Sequence, residues 1–377
     1  MARKVKKKKA KRTRMKSGDF LLTILVLALV VFGIIMVFSA SYYSSISETG
    51  DPYTYLKDHI VWALLGAVVM LVTALLDYHI YEKLAPLLLV ASLILLVLLF
   101  TPLGVTRNYA TRWLGVGSFT LMPGEVAKIC AILFVAWFLS RDSKRIRSFF
   151  KGVLPLLVLC GIYFGLIIMQ PNLSTAITIC AIIIGMMFVA GLNILYLIAI
   201  GVLGGGGILA LALADEEGYW MKRITSFMDP FQDPLGSGWQ VIQSLLALGS
   251  GGLFGVGLGK SIQKTLYLPE PQNDFIFSII GEELGFVGCL MLIICYLVLI
   301  WRGSHIALNA PDLFGTLVAA GITIMLAVQV ILNIAVVTSS MPPTGITLPF
   351  ISYGGNALLL FMGSFGIMLN ISRHSAV

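Results

Sequence analysis

Apolar runs of about 20 residues recur along the chain, separated by short polar stretches, and each run is long enough to cross a bilayer as a helix. Ten segments qualify: 20–40, 60–76, 84–101, 121–140, 152–169, 174–190, 193–214, 275–301, 313–338 and 349–371. The pattern predicts an all-α polytopic membrane protein with ten transmembrane helices. Only Gly191–Leu192 separates the sixth and seventh segments, which implies a tight turn. The seventh contains four consecutive glycines, Gly204–Gly207. Such a run weakens a helix and lets neighbours approach closely, so this segment is expected to be bent or short, with packing a better reason for it than hinging. Residues 215–274 form a connection of 60 residues in a chain whose other connections are short. Loops of that length are functional or disordered. Its aromatics, glycines, prolines and mixed charges predict an ordered segment lying against the membrane surface.

Charge sets the orientation. The first 18 residues hold ten Lys/Arg and no acid, which exceeds the formal net charge of +8 and leaves the rest of the chain at −2. The basic character is therefore a tail and not a nucleic-acid-binding face; it reads as an orientation signal or a contact to anionic lipid. With the N-terminus inside, the inner segments carry 18 Lys/Arg and the outer ones 7, with Lys128 inside the fourth span. Both termini are accordingly placed in the cytoplasm. Residues 1–18 are then a basic cytoplasmic tail, and residues 19–377 a single ten-helix membrane domain with an extracellular loop, 215–274, between helices 7 and 8. The apolar run 20–38 is too long for a signal-peptide core and reads as an uncleaved first helix.

Composition agrees with the class: 58% of residues are hydrophobic, 12% charged, and the mean hydropathy is +0.95. Soluble domains do not look like that. The five cysteines lie in apolar runs without CxxC spacing and read as small core residues. The four histidines are scattered and form no HExxH pair, so nothing in the sequence supports a built-in metal site.

Candidate chemistry gathers at Tyr267–Gly288, YLPEPQNDFIFSIIGEELGFVG, where acids stand at the mouth and in the first turns of a membrane helix. Acids are costly there and are kept where a site or a partner needs them. Asp274 reads either as an N-cap of the eighth helix or as a general base acting on a hydroxyl. Its neighbours Glu270, Glu282 and Glu283 favour the second reading. At helical spacing Glu282 and Glu283 point about 100° apart, and both are expected to face the bundle. Glu125 and Lys128, at i and i+3, can pair on one helix face, which reads as a structural salt bridge before a catalytic pair. Arg112–Trp113 is an interfacial dipeptide, the Arg able to hold phosphate in a fork.

In Gln170–Thr175, QPNLST, polar groups could bond a sugar, although Ser174 is expected to cap the next helix. On the long loop, Arg223, Lys260 and Lys264 are candidate cations and Gln240 and Gln243 candidate amides; Gly249–Gly259, GSGGLFGVGLG, is glycine-dense as phosphate cradles are, but it has no strand–loop–helix context and a nucleotide site is not expected there. Met341–Gly355, MPPTGITLPFISYGG, carries no charge and reads as a stiff turn, with Ser352 a candidate contact. The residues together describe an outward-facing polar site set in lipid, suited to a lipid-linked anionic substrate. Enzyme and transporter both remain open at this point.

Four stretches, RWLGVGSFTLMPGEVAK (112–128), GSGWQVIQSLLALGSGGLFGVGLGKSIQK (236–264), YLPEPQNDFIFSIIGEELG (267–285) and TGITLPFISYGG (344–355), resemble in sequence and order the SEDS proteins of shape, elongation, division and sporulation. The likeness runs from about Asp19 onward and is nearest to the FtsW-type and SpoVE-type members, with RodA more distant. It implies a multi-pass protein of the cytoplasmic membrane that polymerises lipid II into peptidoglycan at the outer face, in division or sporulation. By this resemblance Asp274 is the family's essential acid and proposed base, Glu125 and Lys128 its salt-bridge pair, and Trp113 part of its RW motif.

The implied partner is a class B penicillin-binding protein, a transpeptidase, beside other divisome or sporulation membrane proteins. Substrate contacts are expected from Arg112, Trp113, Arg223, Gln240, Gln243, Lys260, Lys264, Glu283 and Ser352. No cofactor is built in; cations of the chain, or a divalent ion (Mg or Mn) carried with the pyrophosphate, would stabilise the leaving group. Two motifs depart from the pattern: QPNLST has Asn172 and Ser174 where many members carry Asp and Gly, and YGGNA has Asn356 where Ser is common. The competing classes are a lipid II flippase or ion-coupled transporter, against which no inverted repeat is visible, and a noncatalytic scaffold for the transpeptidase.

Overall fold

The computed structural model describes residues 18–107, 110–116, 119–142, 144–213, 227–236 and 238–375. Among them, apolar helices follow the predicted order as α1 (Phe20–Thr49), α2 (Thr54–Leu75), α3 (His79–Leu98), α4 (Pro123–Ser140), α5 (Leu154–Ile168), α6 (Leu173–Val189) and α7 (Ile194–Leu213). A short helix α8 (Trp239–Ser250) precedes the last three, α9 (Ile276–Leu308), α10 (Leu313–Val337) and α11 (Gly355–His374). Eight helical stretches among the described residues, with α5 extended by the turn Phe149–Val153 before it, are long and apolar enough to cross a membrane, and Leu173–Val189 and Ile194–Gly207 are shorter apolar helices in the sixth and seventh predicted places.

Burial sorts the helices into centre and rim. Two-thirds or more of α4, α10 and α11 is buried inside the bundle, against 28% of α2 and 17% of α3. The poorly buried helices turn Leu, Val and Ile outward, which is stable only where the surrounding solvent is itself apolar. Polar residues at helix ends fix the order. Asp19 caps α1 by accepting from the Leu22 N–H at 3.0 Å and pairs with Arg302 of α9 at 2.5 Å. Asn370 of α11 accepts from Tyr78 N–H at 3.0 Å and donates to the Ala74 carbonyl at 2.9 Å, which pins the α2–α3 turn.

Two expectations change. The chain is not wholly α: strands β1 (Gly104–Arg107), β2 (Ala110–Val116) and β3 (Phe119–Leu121) form an antiparallel sheet in that order between α3 and α4. Val105, Thr106, Thr111, Trp113 and Thr120 are β-branched or aromatic, the residue types that strands favour. A search for 20-residue apolar runs passes over strands this short. The glycines of α7 also behave otherwise than expected. The helix runs through Gly204–Gly207 without interruption, and they are exposed, with no atom within 4 Å of where a Cβ would stand. Among the described residues they pack against nothing.

The break that the glycines of α7 were expected to make is found in α9. Gly285 sits there at φ 69°, ψ −168°, a conformation open to glycine and strained for any other residue. A broken helix exposes backbone groups that must find partners in a medium without water. The strap Gly251–Gly257 supplies them. Val256 N–H donates to the Glu282 carbonyl (2.9 Å) and Gly257 N–H to that of Glu283 (3.0 Å). In return Phe286 N–H donates to Gly252 (2.9 Å) and Val287 N–H to Leu253 (3.1 Å). A Cβ on Gly255 would lie 2.2 Å from the Glu283 carbonyl oxygen, so only glycine admits this approach. The glycine-dense stretch, which lacks the strand–loop–helix context of a phosphate cradle, is a backbone plug for the helix break.

Candidate active site

Asp274 lies two residues ahead of α9. It is not the helix cap: Phe275 holds that position, with no side-chain cap bond. The backbone at Asp274 is held from another helix, since Asn333 of α10 donates Nδ2–H to the Asp274 carbonyl at 2.8 Å and to the Ile346 carbonyl at 2.7 Å. The carboxylate turns toward Gly345, in the uncharged segment between α10 and α11. An atom at the Gly345 Cβ position would be 3.1 Å from Asp274 Oδ2 and 3.6 Å from Arg112 Nη1. Carboxylate and guanidinium thus converge over one exposed glycine.

Arg112 reaches that point from β2. Its Nη2 donates to the Pro171 carbonyl in the α5–α6 turn. Trp113, next on the strand, is half-buried and projects to the opposite sheet face by the two-residue period. Asn172 is buried and caps α6, accepting from Thr175 N–H at 3.2 Å, and Ser174 donates to Asn172 Oδ1 at 3.2 Å. The cap is therefore Asn172 and not Ser174, because the asparagine carbonyl precedes the first turn and the serine is already inside it. Glu125 and Lys128, in the first turns of α4, form a buried pair at 2.7 Å.

Two further bonds close the corner. Tyr353 N–H donates to the Gln272 carbonyl at 2.9 Å, and Asn356 Nδ2–H to the Thr120 carbonyl of β3 at 2.9 Å. Glu270 stands on the rim, accepting from Asn273 Nδ2–H at 2.6 Å. Its carboxyl is raised above the usual carboxylate range, first by desolvation on its packed side and then by the charge of Glu48.

The other predicted contacts separate from this corner. Lys264 and Glu283 are buried and paired with each other at 2.7 Å. Ser39 of α1 donates to both Glu283 oxygens at 2.7 and 2.8 Å. A lysine read as an outer cation for pyrophosphate is thus consumed inside the protein, as is the glutamate read as a substrate contact. Glu282 is buried as well, and accepts from Ser261 Oγ–H (2.5 Å) and Ile262 N–H (2.8 Å). Both acids face the bundle, where they anchor the segment Ser261–Lys264 that follows the strap.

Ser352 is buried and accepts from Leu348 N–H at 2.8 Å, closing its own turn. Gln243 is buried on α8, Gln240 half-buried beside it, and Lys260 exposed three residues past the strap. Arg223 lies outside the described residues. Among the described residues no three His, Cys, Asp or Glu side chains gather in a way that could hold a metal.

Sequence reasoning missed Asn333, Gly345 and His59. The signal for Asn333 was present: Gln329 and Asn333 stand four apart in an otherwise apolar helix, which places both on one face. His59 of α2 is fully buried near Tyr353, ring centroids 6.0 Å apart, with neither ring nitrogen bonded among the described residues.

Comparison with known proteins places this geometry. The family model described as "Cell cycle protein" (FtsW, RodA, SpoVE) matches residues 19–377. Stage V sporulation protein E of Bacillus subtilis is 46% identical over 364 residues, covering 96% of this chain and 99% of that one. A probable peptidoglycan glycosyltransferase FtsW of Trichlorobacter lovleyi is 41% identical over 360 residues, covering 95% and 94%. Among solved structures, a chain reported under "Structural coordination of polymerization and crosslinking by a peptidoglycan synthase complex" superposes with a TM-score of 0.78 at 30% identity, over 95% of this chain and 98% of that chain. The rod shape determining protein RodA of Thermus thermophilus gives 0.70 at 29% identity, over 96% and 98%.

Proposed function

The chain belongs to the FtsW/RodA/SpoVE family of cell cycle proteins, and from that membership we propose that it is a peptidoglycan glycosyltransferase that polymerises lipid II, with Asp274 as its base. The observation that carries the site assignment is the meeting of the Asp274 carboxylate and the Arg112 guanidinium over exposed Gly345. A glycosyl transfer needs both. The base takes the proton of the attacking sugar hydroxyl as the new bond to the anomeric carbon forms. The bond from that carbon to the pyrophosphate breaks, and a fixed cation meets the charge that develops on the leaving oxygen.

Arg112 suits that second role because its guanidinium is planar, always charged and already oriented by the Pro171 carbonyl. A divalent cation, magnesium or manganese, belongs in this proposal with the substrate's pyrophosphate oxygens. Glu125 and Lys128 are given a structural role, since pairing neutralises two charges that lipid would not tolerate singly. The site is assigned to the outer face of the cytoplasmic membrane on the charge asymmetry of the loops. The partner is assigned as a class B penicillin-binding protein, on the strength of the related chain reported in a peptidoglycan synthase complex.

The test is polymerisation of labelled lipid II by purified protein with its transpeptidase in liposomes. Asp274→Asn is expected to insert, to bind the partner and to form no glycan chains. Normal chains from that variant remove the base assignment. Lipid flipping without polymer in the wild type would make the protein a transporter, and neither activity would make it a scaffold.

A further inference from the structure

We propose that Asn333 is a positioning residue for the reaction, holding Asp274 at working distance from the wall of the site; this rests on the reading of Asp274 as base. Asn333 sits inside α10, 1% exposed, in a helix that is otherwise almost wholly apolar. An amide buried there without partners costs about 1–3 kcal/mol, so its contacts matter. Both Nδ2 protons are used, one on the Asp274 carbonyl at 2.8 Å and one on the Ile346 carbonyl at 2.7 Å. These carbonyls belong to two loops far apart in sequence. One loop carries the carboxylate, and in the other Ile346 adjoins Gly345, whose Cβ position lies 3.1 Å from Asp274 Oδ2. A single planar NH2 group therefore sets the spacing between the acid and the surface facing it.

The arrangement fits positioning better than general stitching for two reasons. Asp274 precedes α9, with Phe275 as the cap, so its carbonyl lies outside the ordered helix interior. Fixing that carbonyl fixes the direction in which the side chain leaves the backbone. The second reason is Gln329, one turn earlier on the same face of α10. It is also 1% exposed, and neither of its amide atoms has a hydrogen-bond partner among the described residues. Gln329 is thus a buried amide on the same helix without the two loop contacts, and it serves as an internal control.

The experiment compares Asn333→Asp, Asn333→Ser and Gln329→Leu with wild type and Asp274→Asn in the liposome polymerisation assay, with melting temperature measured for each. Asn333→Asp keeps the shape and loses the donors; Asn333→Ser keeps one donor on a shorter arm, in case the aspartate does not fold. The expected result is a 10- to 100-fold loss of turnover in the Asn333 variants, the scale for a displaced reacting group. The lipid II concentration giving half-maximal rate is expected to stay within twofold. In Asn333→Asp the acid limb of the turnover–pH profile moves upward, because a second carboxylate beside Asp274 disfavours its ionisation. A merely structural residue would change the yield of folded protein and leave the profile of the folded fraction in place. Gln329→Leu is expected to polymerise like wild type. A folded Asn333 variant with wild-type turnover, beside an inactive Asp274→Asn, overturns the positioning role alone. Wild-type turnover in both overturns the base assignment and the positioning with it.

Discussion

The pair Lys264–Glu283 offers a measurable test of how the strap and the segment after it are held against α9. Their side chains are 3% and 0% exposed and 2.7 Å apart, and Ser39 Oγ bonds both partners, accepting from Lys264 Nζ at 3.0 Å. Removing one member of such a pair leaves the other charge buried without its counter-ion, which costs about 3–5 kcal/mol. Replacing both by apolar residues of similar shape removes two desolvation costs with the attraction, and is near neutral or stabilising. Glu283→Leu and Lys264→Met are therefore each expected to be strongly destabilising, while the double variant recovers most of the loss. At roughly 2 °C or less per kcal/mol for a chain of this size, each single variant melts about 5–10 °C low, and the double within a few degrees of wild type.

The assay is thermal unfolding of the four proteins in one detergent, followed by intrinsic fluorescence, together with limited proteolysis of the strap. Salt is the second axis. A pair so far from solvent is screened little, so the differences persist between 0.05 and 0.5 M NaCl by the Debye argument. The reasoning is refuted if the two single losses simply add in the double variant, or if neither single variant melts below wild type. The first outcome would mean the partners do not meet; the second, that the lysine reaches water.

Two other perturbations follow from the site. Gly345→Ala places a methyl 3.1 Å from Asp274 Oδ2 at an exposed position; polymerisation is expected to fall about tenfold or more on the scale of a misplaced reacting group with the melting temperature unchanged, and an active Gly345→Val would contradict the placement. Glu270 binds its proton more tightly in the folded protein than its ordinary value of 4.5, through desolvation and Glu48. Its ionised form therefore opposes folding, and stability falls as pH climbs through its titration. Glu270→Gln is expected to melt above wild type at pH 7.5, with the gap closing below about pH 4; a variant melting lower than wild type at pH 7.5 would contradict the sign.

How much of this was legible depends on the length scale of each signal. Apolar runs of about 20 residues dominate the free energy of a chain in lipid, so each predicted segment has its helix; the first starts at Phe20 as expected, behind its Asp19 cap, and runs on to Thr49, nine residues past the expected end, while the fourth starts at Pro123. The buried directions of Glu282 and Glu283 and the Glu125–Lys128 pair were legible for the same reason, since lipid leaves charged groups no other place. The sheet at Gly104–Leu121 was not, because strands of three to seven residues make no such run. The break at Gly285 was hidden because spaced glycines such as those of GEELGFVG are tolerated by a helix; what permits the break here is a second segment, Gly251–Gly257, able to satisfy the freed backbone. Lys264 was misplaced for a related reason: a lysine on a long loop looks solvated until the buried glutamate it meets is known.

The corner around Asp274 is built from loops, and loops hold reacting groups less tightly than helices do. Hydrogen bonds between elements supply the missing rigidity. A backbone carbonyl that turns away from its own element must be met by some donor, and here the donors come from other elements. Arg112 meets the carbonyl of Pro171, Asn333 those of Asp274 and Ile346, Tyr353 N–H that of Gln272, and Asn356 that of Thr120. Each bond answers a local debt of the backbone and at the same time ties the sheet, the α5–α6 turn, the approach to α9 or the segment before α11 to a neighbour. These cross-links give three loops and the sheet one shared geometry, which is what a base and a cation need if they are to meet over Gly345.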